Sequence, residues 1–177
     1  MGKVTKIVVM AKQVPDTRNV GKDAMTAEGT VNRAALAAIF NPEDLNALEM
    51  ALQMKDRLGE ATVHVLTMGP QRAADIIREA MFRGADGGYL LSGREFAGSD
   101  TLATSYALSC ALRKINPDIM VLQGAGISGP DDVANVIRAG AQATGCTSGI
   151  LKAADPEAAA EEMLYALRKT WNEVHGI

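Results

Sequence analysis

Aromatic residues, histidines, cysteines and basic charge are all scarce in this chain. Aromatic residues make up 4% of a chain that is 47% hydrophobic, so aliphatic side chains and methionine must fill its core. Two histidines, His64 and His175, leave little supply for histidine-centred catalysis or a zinc site. The two cysteines, Cys110 and Cys146, lack metal-ligand spacing, so we expect a cytoplasmic protein without a bound metal.

Charge and hydropathy exclude two further classes of protein. The net charge is −3 with both signs interspersed, whereas a surface that binds nucleic acid is basic. No apolar run approaches the ~20 residues that span a bilayer, and the first residues lack a signal-peptide pattern. We therefore expect neither nucleic acid nor a membrane as a partner.

Short apolar runs alternate with helical patterns along the chain. KIVVM and ATVHVLT are typical of strands that are buried on both faces of a parallel sheet. This alternation predicts an α/β fold: a doubly wound, mainly parallel five-stranded sheet with helices on both faces, in a single domain over residues 1–177. The strands are expected at 6–10, 61–67, 87–91, 119–122 and 143–147.

Two segments carry the chemistry that the residues themselves suggest. Asn41-Pro42-Glu43-Asp44 opens a helix, with Asn41 suited to the cap, Pro42 to the first helical position and the acids to the helix dipole. Capping alone explains these residues, and a ligand contact at the carboxyl edge of the sheet is the alternative.

The second segment, Pro117 to Gly140, contains a strand, a glycine-rich turn and a helix start in that order. Unpaired N–H groups and the helix dipole make this arrangement an anion site, and glycine lets the backbone approach a phosphate closely. An ordinary connection between a strand and a helix is the alternative.

Residues from about 6 to 115 resemble the beta subunit of electron transfer flavoproteins. The matching stretches are long, in order and correctly spaced: KIVVMAKQVPDT, NPEDLNALEMALQMKDRLG, VHVLTMGPQRAADIIREAMFRGAD and LLSGREFAGSDTLATSYALSCAL. The resemblance implies a nucleotide-binding domain that takes AMP or a second FAD and pairs with an alpha subunit. Its implied contacts are Met10, Ala11, Asn41, Pro42, Glu43, Asp44, Met68, Asp100 and Thr101.

Residues from about 116 to 170 are instead similar to the C-terminal quarter of archaeal-type triosephosphate isomerases. The similarity is carried by GAGIS, by DV shortly after GP, and by TSGILKA. In that barrel family the backbone amides of these loops hold the substrate phosphate. The implied phosphate or sulfate contacts here are Gly124, Ala125, Gly126, Ser128, Ser148 and Gly149.

The two resemblances together predict a chimera of parts 1–115 and 116–177, joined near Asn116. The earlier strands lack the isomerase's catalytic residues, so we expect no complete catalytic constellation and no enzyme. The leading interpretation is an AMP- or FAD-binding electron-transfer domain without complete electron-transfer activity. The alternatives are a non-catalytic scaffold with a residual phosphate site and, third, an isomerase-like enzyme. An unpaired sheet edge would also favour a homodimer.

Overall fold

The computed structural model describes residues 3–16, 18, 37–121, 127–140 and 144–177. These residues fall into two compact units that divide after Val121. The division lies close to the join predicted near Asn116, and the assignment of one domain to the whole chain stays a prediction. None of the helices in the described ranges is both long and apolar enough to cross a membrane.

In its described residues, the first unit contains a parallel sheet and three α-helices. Single 3-10 turns at Gln71–Ala73 and Arg94–Phe96 precede its second and third helices. In chain order its elements are β1 (Thr5–Met10), β2 (Gln13–Pro15), β3 (Ala38–Phe40), α1 (Asp44–Leu58), β4 (Ala61–Met68), α2 (Ala74–Phe82), β5 (Gly87–Leu91), α3 (Thr101–Ile115) and β6 (Ile119–Val121).

The central strands are apolar because the sheet is covered where they lie. β1 pairs in parallel with β4 on one side and with β6 on the other, so that Val9 lies beside both Val65 and Val121. Val9 and Val65 belong to a buried cluster that also takes Leu48 from α1 and Ile76 from α2. Burial of these aliphatic groups, about 1.5–3 kcal/mol per side chain, stabilises the sheet, and Phe40 of β3 is an aromatic member of the same cluster.

The strand order of the parallel sheet is β5-β4-β1-β6. The chain moves from β1 outward to β4 and β5, and then returns to the other side of β1 to form β6. Because crossovers between parallel strands are right-handed, this return puts α3 on the sheet face opposite to α1 and α2. The predicted α/β class with a mainly parallel, doubly wound sheet is confirmed.

A separate two-stranded antiparallel ribbon follows β1. Gln13 of β2 pairs with Phe40 of β3, and Pro15 pairs with Ala38. The ribbon brings Asn41 back to the end of β1, where the Asn41 N–H donates to the Lys12 carbonyl at 3.0 Å. The pairing of β3 with β2 therefore returns the chain to the carboxyl edge of the sheet.

The second unit is helical in its described part. Its elements are α4 (Pro130–Arg138), α5 (Ser148–Leu151) and α6 (Pro156–His175), and α4 packs against α6. The fifth strand predicted at 143–147 is wrong, because residues 144–147 form no strand and Ser148 begins a helical turn. This run holds no Val, Ile or Leu, and local packing of Cys146 and Gly149 fixes its path instead. The described sheet is therefore four-stranded.

Candidate functional site

The reversal of strand order between β1 and β6 marks the expected ligand position in this fold. Loops that leave neighbouring strands in opposite directions open a crevice at the carboxyl edge of the sheet. Met10 ends β1, and the Ala11 N–H continues the pairing by donating to the Leu66 carbonyl at 3.1 Å. β6 ends at Val121. The predicted contacts Gly124, Ala125 and Gly126 follow it and lie outside the described residues.

The turn at 41–44 lies directly beside the end of β1. The Asn41 carbonyl accepts hydrogen bonds from the N–H groups of Asp44 and Leu45, at 3.0 and 3.3 Å. Pro42 and Glu43 form the turn and α1 begins at Asp44, so the prediction that Asn41 caps the helix with Pro42 at its first position is wrong. The reason is that the Asn41 side chain hydrogen-bonds to the Asp44 carboxylate and not to a main-chain N–H of the first helical turn.

Asp44 is the buried carboxylate of this edge. Its Oδ2 accepts the Lys12 backbone N–H at 2.8 Å. Burial raises the pKa of Asp44, the hydrogen bonds from Lys12 and Asn41 lower it, nearby Glu43 raises it, and the net direction is upward. This burial was not predictable from the sequence, because an acid in the first turn of a helix is usually solvated.

The end of β4 contributes Met68, which lies beside Leu91 of β5 and is half-buried. The following Gly69 donates to the Leu91 carbonyl at 3.0 Å, and a Cβ at Gly69 would lie 3.0 Å from the Ala73 Cβ. Sequence reasoning missed Thr67, whose hydroxyl is buried and without a hydrogen-bond partner. The signal was available, since Thr67 is a polar residue next to the carboxyl end of β4.

Asp100 and Thr101 lie at the start of α3. The Asp100 carboxylate accepts the Ala103 N–H at 2.8 Å, so it caps the helix. The Thr101 carbonyl accepts the Ser105 hydroxyl at 2.7 Å. Both residues follow β5, which is separated from β1 by β4. Their contact with a nucleotide stays a prediction.

The second unit carries the other predicted loop residues. The Ser128 N–H and hydroxyl both donate to the Asp132 Oδ2, at 2.9 and 2.6 Å. The pKa of Asp132 is lowered, first by the Ser128 hydroxyl, then by the Ser128 N–H, with a smaller contribution from the Gly129 N–H. The Ser128 N–H, which was predicted to bind a phosphate, therefore donates to the Asp132 carboxylate instead.

Gly149 brings the two predicted phosphate loops together. A Cβ at this position would lie 2.7 Å from the Ser128 carbonyl oxygen and 2.7 Å from the Cys146 Sγ, so only glycine fits without a shift. The Cys146 thiol in turn donates to the Ile127 carbonyl at 3.0 Å. Ser148 begins α5 and is exposed. Ser128 and Gly149 are thus adjacent, while phosphate binding there stays a prediction.

A family model described as the electron transfer flavoprotein domain matches residues 28–175. The gamma electron transfer subunit of acryloyl-CoA reductase from Anaerotignum propionicum is 52% identical over 110 residues, which cover 62% of this chain and 40% of that protein. The electron transfer flavoprotein beta subunit of Megasphaera elsdenii is 50% identical over 113 residues, with coverages of 64% and 41%.

The caffeyl-CoA reductase-Etf complex subunit CarD of Acetobacterium woodii is 47% identical over 119 residues, with coverages of 67% and 45%. The chain thus spans less than half the length of these curated relatives. A solved structure of 3-hexulose-6-phosphate synthase aligns with a TM-score of 0.29 and 22% identity over 68% of this chain and 56% of that one, which is too low to show a shared fold.

The family match bears on both resemblances inferred from the sequence. It supports the flavoprotein resemblance, and it continues to residue 175 across the segment that we compared with triosephosphate isomerase. The isomerase-like part and the chimera gain no support from these matches. Because the family model covers most of its residues, this chain belongs to the electron transfer flavoprotein domain family.

Proposed function

We propose that the chain binds the adenine nucleotide AMP or FAD at the carboxyl edge of its parallel sheet and acts as the beta-type part of an electron transfer flavoprotein. The observation that carries this proposal is the turn at 41–44, which Lys12 holds against the end of β1 at the strand-order reversal. Nucleotides bind at this position in doubly wound sheets.

The proposed contacts divide by chemistry. Met10 and Met68 end neighbouring strands and are half-buried, so their thioether side chains offer the apolar surface that an adenine ring packs against. Asn41 and the exposed Glu43 offer polar atoms that match ribose hydroxyls. Ala11, Pro42, Asp100 and Thr101 complete the proposed set.

Calorimetric titration with AMP, FAD and adenosine tests the nucleotide site. We expect binding of AMP or FAD and a weaker response to adenosine, which lacks the phosphate. Met68→Ala should weaken AMP binding about tenfold through lost apolar contact. Met50→Ala, on the exposed side of α1, is the matched control and should bind as the parent does. Failure of both AMP and FAD to bind at millimolar concentration would refute the proposal.

We further propose that the chain does not complete electron transfer alone and works in the cytoplasm with an alpha-type subunit that holds the reacting flavin. Support comes from the relatives, two of which are described as subunits of acryloyl-CoA reductase and of the caffeyl-CoA reductase-Etf complex. Co-expression with an alpha-type subunit should give a coloured heteromeric complex on size exclusion. A coloured, redox-active homodimer of this chain alone would contradict this assignment.

A second candidate is a non-catalytic scaffold with a phosphate site between residues 127–129 and 146–149. The contact of Gly149 with Ser128 favours it, since the isomerase resemblance predicts this adjacency. Phosphate titration followed through Ser128 and Gly149 amide shifts would test it, with weak binding expected while Asp132 occupies the Ser128 N–H. In a coupled assay with glyceraldehyde 3-phosphate we expect no turnover above background, and measurable isomerase activity would support the chimera.

A further inference from the structure

Asp44 closes a ring of hydrogen bonds between the end of β1 and the turn that precedes α1. Its carboxylate accepts the Lys12 N–H at 2.8 Å and a hydrogen bond from the Asn41 side chain. The Asn41 N–H in turn donates to the Lys12 carbonyl at 3.0 Å. Both main-chain polar groups of Lys12 are therefore bound by the turn, and the two segments cannot separate without breaking these bonds.

The position of this carboxylate argues against direct contact with a ligand. Asp44 is only 9% exposed, and the neighbouring Glu43 of the same turn is exposed. A buried carboxylate is tolerated where hydrogen bonds satisfy its oxygens, and here protein groups supply them. The N-terminus of α1 adds favourable dipole charge. The accessible edge of the turn belongs to its other residues.

We infer that Asp44 is a positioning residue of the nucleotide site, which holds the main chain of Lys12 and Asn41 together so that the end of β1 and the turn at 41–44 form one rigid ledge. This inference rests on the proposed nucleotide-binding function. It assigns Asp44 a different role from the direct contact that the sequence resemblance implies.

The energetic reason for such a residue is preorganisation. A loop that is already fixed in the bound geometry loses less conformational entropy when the ligand arrives. Ala11, immediately before Lys12, is fixed to the Leu66 carbonyl, so the ledge is continuous with the sheet. Removal of the Asp44 carboxylate leaves the Lys12 N–H without its acceptor. The residues after β1 are then held less firmly against the turn at 41–44.

Amide hydrogen exchange of Lys12, measured by NMR without ligand, tests the hydrogen-bond ring itself. Asp44→Ala should accelerate exchange of the Lys12 amide about tenfold or more, because its acceptor is lost. Asp44→Asn keeps an acceptor oxygen of the same shape and should retain protection near the parent value. Asp56→Ala and Asp56→Asn, on the exposed side of α1, are matched controls and should leave Lys12 unchanged.

Calorimetric titration of the same variants with AMP tests the link to the site. We expect about tenfold weaker AMP binding for Asp44→Ala, and binding within about threefold of the parent for Asp44→Asn. Recovery by asparagine is expected of a positioning residue. A direct carboxylate contact would instead make Asp44→Asn as weak as Asp44→Ala.

Three results would overturn the inference. The first is unchanged Lys12 exchange in Asp44→Ala. The second is a tenfold loss of AMP binding in Asp44→Asn while Lys12 stays protected, which decides the case even where the alanine variant fails to fold. The third is parent-like AMP binding in a folded Asp44→Ala. If the parent binds neither AMP nor FAD, the proposed function fails, and the exchange data alone decide whether Asp44 holds the ledge.

Discussion

Each unit of this chain contains a carboxylate that accepts a main-chain N–H of a loop, yet the two carboxylates differ in their electrostatics. Asp44 in the first unit accepts from Lys12 and is buried, and burial raises its pKa. Asp132 in the second unit accepts from Ser128, and the Ser128 hydroxyl and N–H lower its pKa. The hydrogen bonds lower the pKa of both carboxylates, but burial outweighs them at Asp44, so the two carboxylates have opposite linkage to pH.

This difference separates two uses of a carboxylate. The Asp132 carboxylate accepts the Ser128 N–H and hydroxyl at the start of α4. These hydrogen bonds stabilise the local structure of the loop. Asp44 bears the desolvation of a charge in order to join two segments that are distant in sequence. The hydrogen bonds from Lys12 and Asn41 offset part of the cost of this desolvation.

The largest expected effect is on the loop that Asp132 closes. Gly149→Ala should lower the free energy of unfolding of the second unit by about 3 kcal/mol, because the added Cβ would meet a backbone carbonyl at 2.7 Å. Urea unfolding followed by fluorescence of Trp171, the sole tryptophan, reports on this unit. Gly129→Ala, whose Cβ would enter open space, is the control and should cost less. Equal losses in both variants would mean that the close contact is not required.

A smaller effect is expected at the buried carboxylate. Asp44→Ala should lower the stability of the first unit by about 2 kcal/mol, since it leaves the Lys12 N–H unsatisfied. Denaturation followed by far-UV circular dichroism measures this loss, and Asp56→Ala is the surface control. A loss no greater than that of the control would show that Lys12 readily finds another acceptor.

The pH dependence of two conservative variants should have opposite signs. Between the unfolded and the raised folded pKa of Asp44, the folded chain retains a proton that the unfolded chain has released, so ionisation costs stability as the pH rises. The stabilisation by Asp132 is instead present above its unfolded pKa and lost as the pH falls through its lowered folded pKa.

Relative to the parent, Asp44→Asn should therefore gain stability as the pH is raised from ~3 to ~6, while Asp132→Asn should lose stability over the same range. Urea unfolding at each pH, read by circular dichroism and by Trp171 fluorescence, measures the two differences. Slopes of the same sign would remove the electrostatic contrast between the units.

The smallest effect is expected at an exposed ion pair. Arg138 and Glu173 approach to 3.6 Å and are about half exposed. Glu173→Gln should change the stability of the second unit by less than about 0.5 kcal/mol, and added salt should remove the difference. A loss of several times this size would show that the pair secures α4 on α6.

The sheet was predictable where the strands are buried on both faces. The runs at 6–10 and 61–67 are rich in aliphatic residues, which is typical of strands that are covered on both faces. The outcome for the segment 143–147 was not predictable in this way. The alternation of strands and helices along the chain does not show whether a neighbouring strand is available for pairing. A fifth strand needs a partner edge as well as a short apolar run.

The position of the candidate site at the carboxyl edge of the sheet was predictable from the sequence, but its hydrogen bonds were not. The residues of the 41–44 turn predicted a loop at the carboxyl edge of the sheet. The hydrogen bond between the Asn41 and Asp44 side chains was not predictable, because it depends on the return of the chain to Lys12. Likewise, the strand, glycine-rich turn and helix start within 117–140 predicted an anion site. That Asp132 reaches back to Ser128 required the folded loop.

The central place of β1 in the sheet also has a consequence during protein synthesis. β1 can pair with β4 early, but its other edge must wait for β6, because Ile7 lies beside Ile119. Roughly fifty residues separate the ends of β4 and β6, so at ~5–20 residues per second this apolar edge stays open for roughly 3–10 s on the ribosome. An open edge of Ile7, Val8 and Val9 is a template for pairing with other chains. Nascent chains of this protein should therefore depend on chaperones until Val121 has emerged.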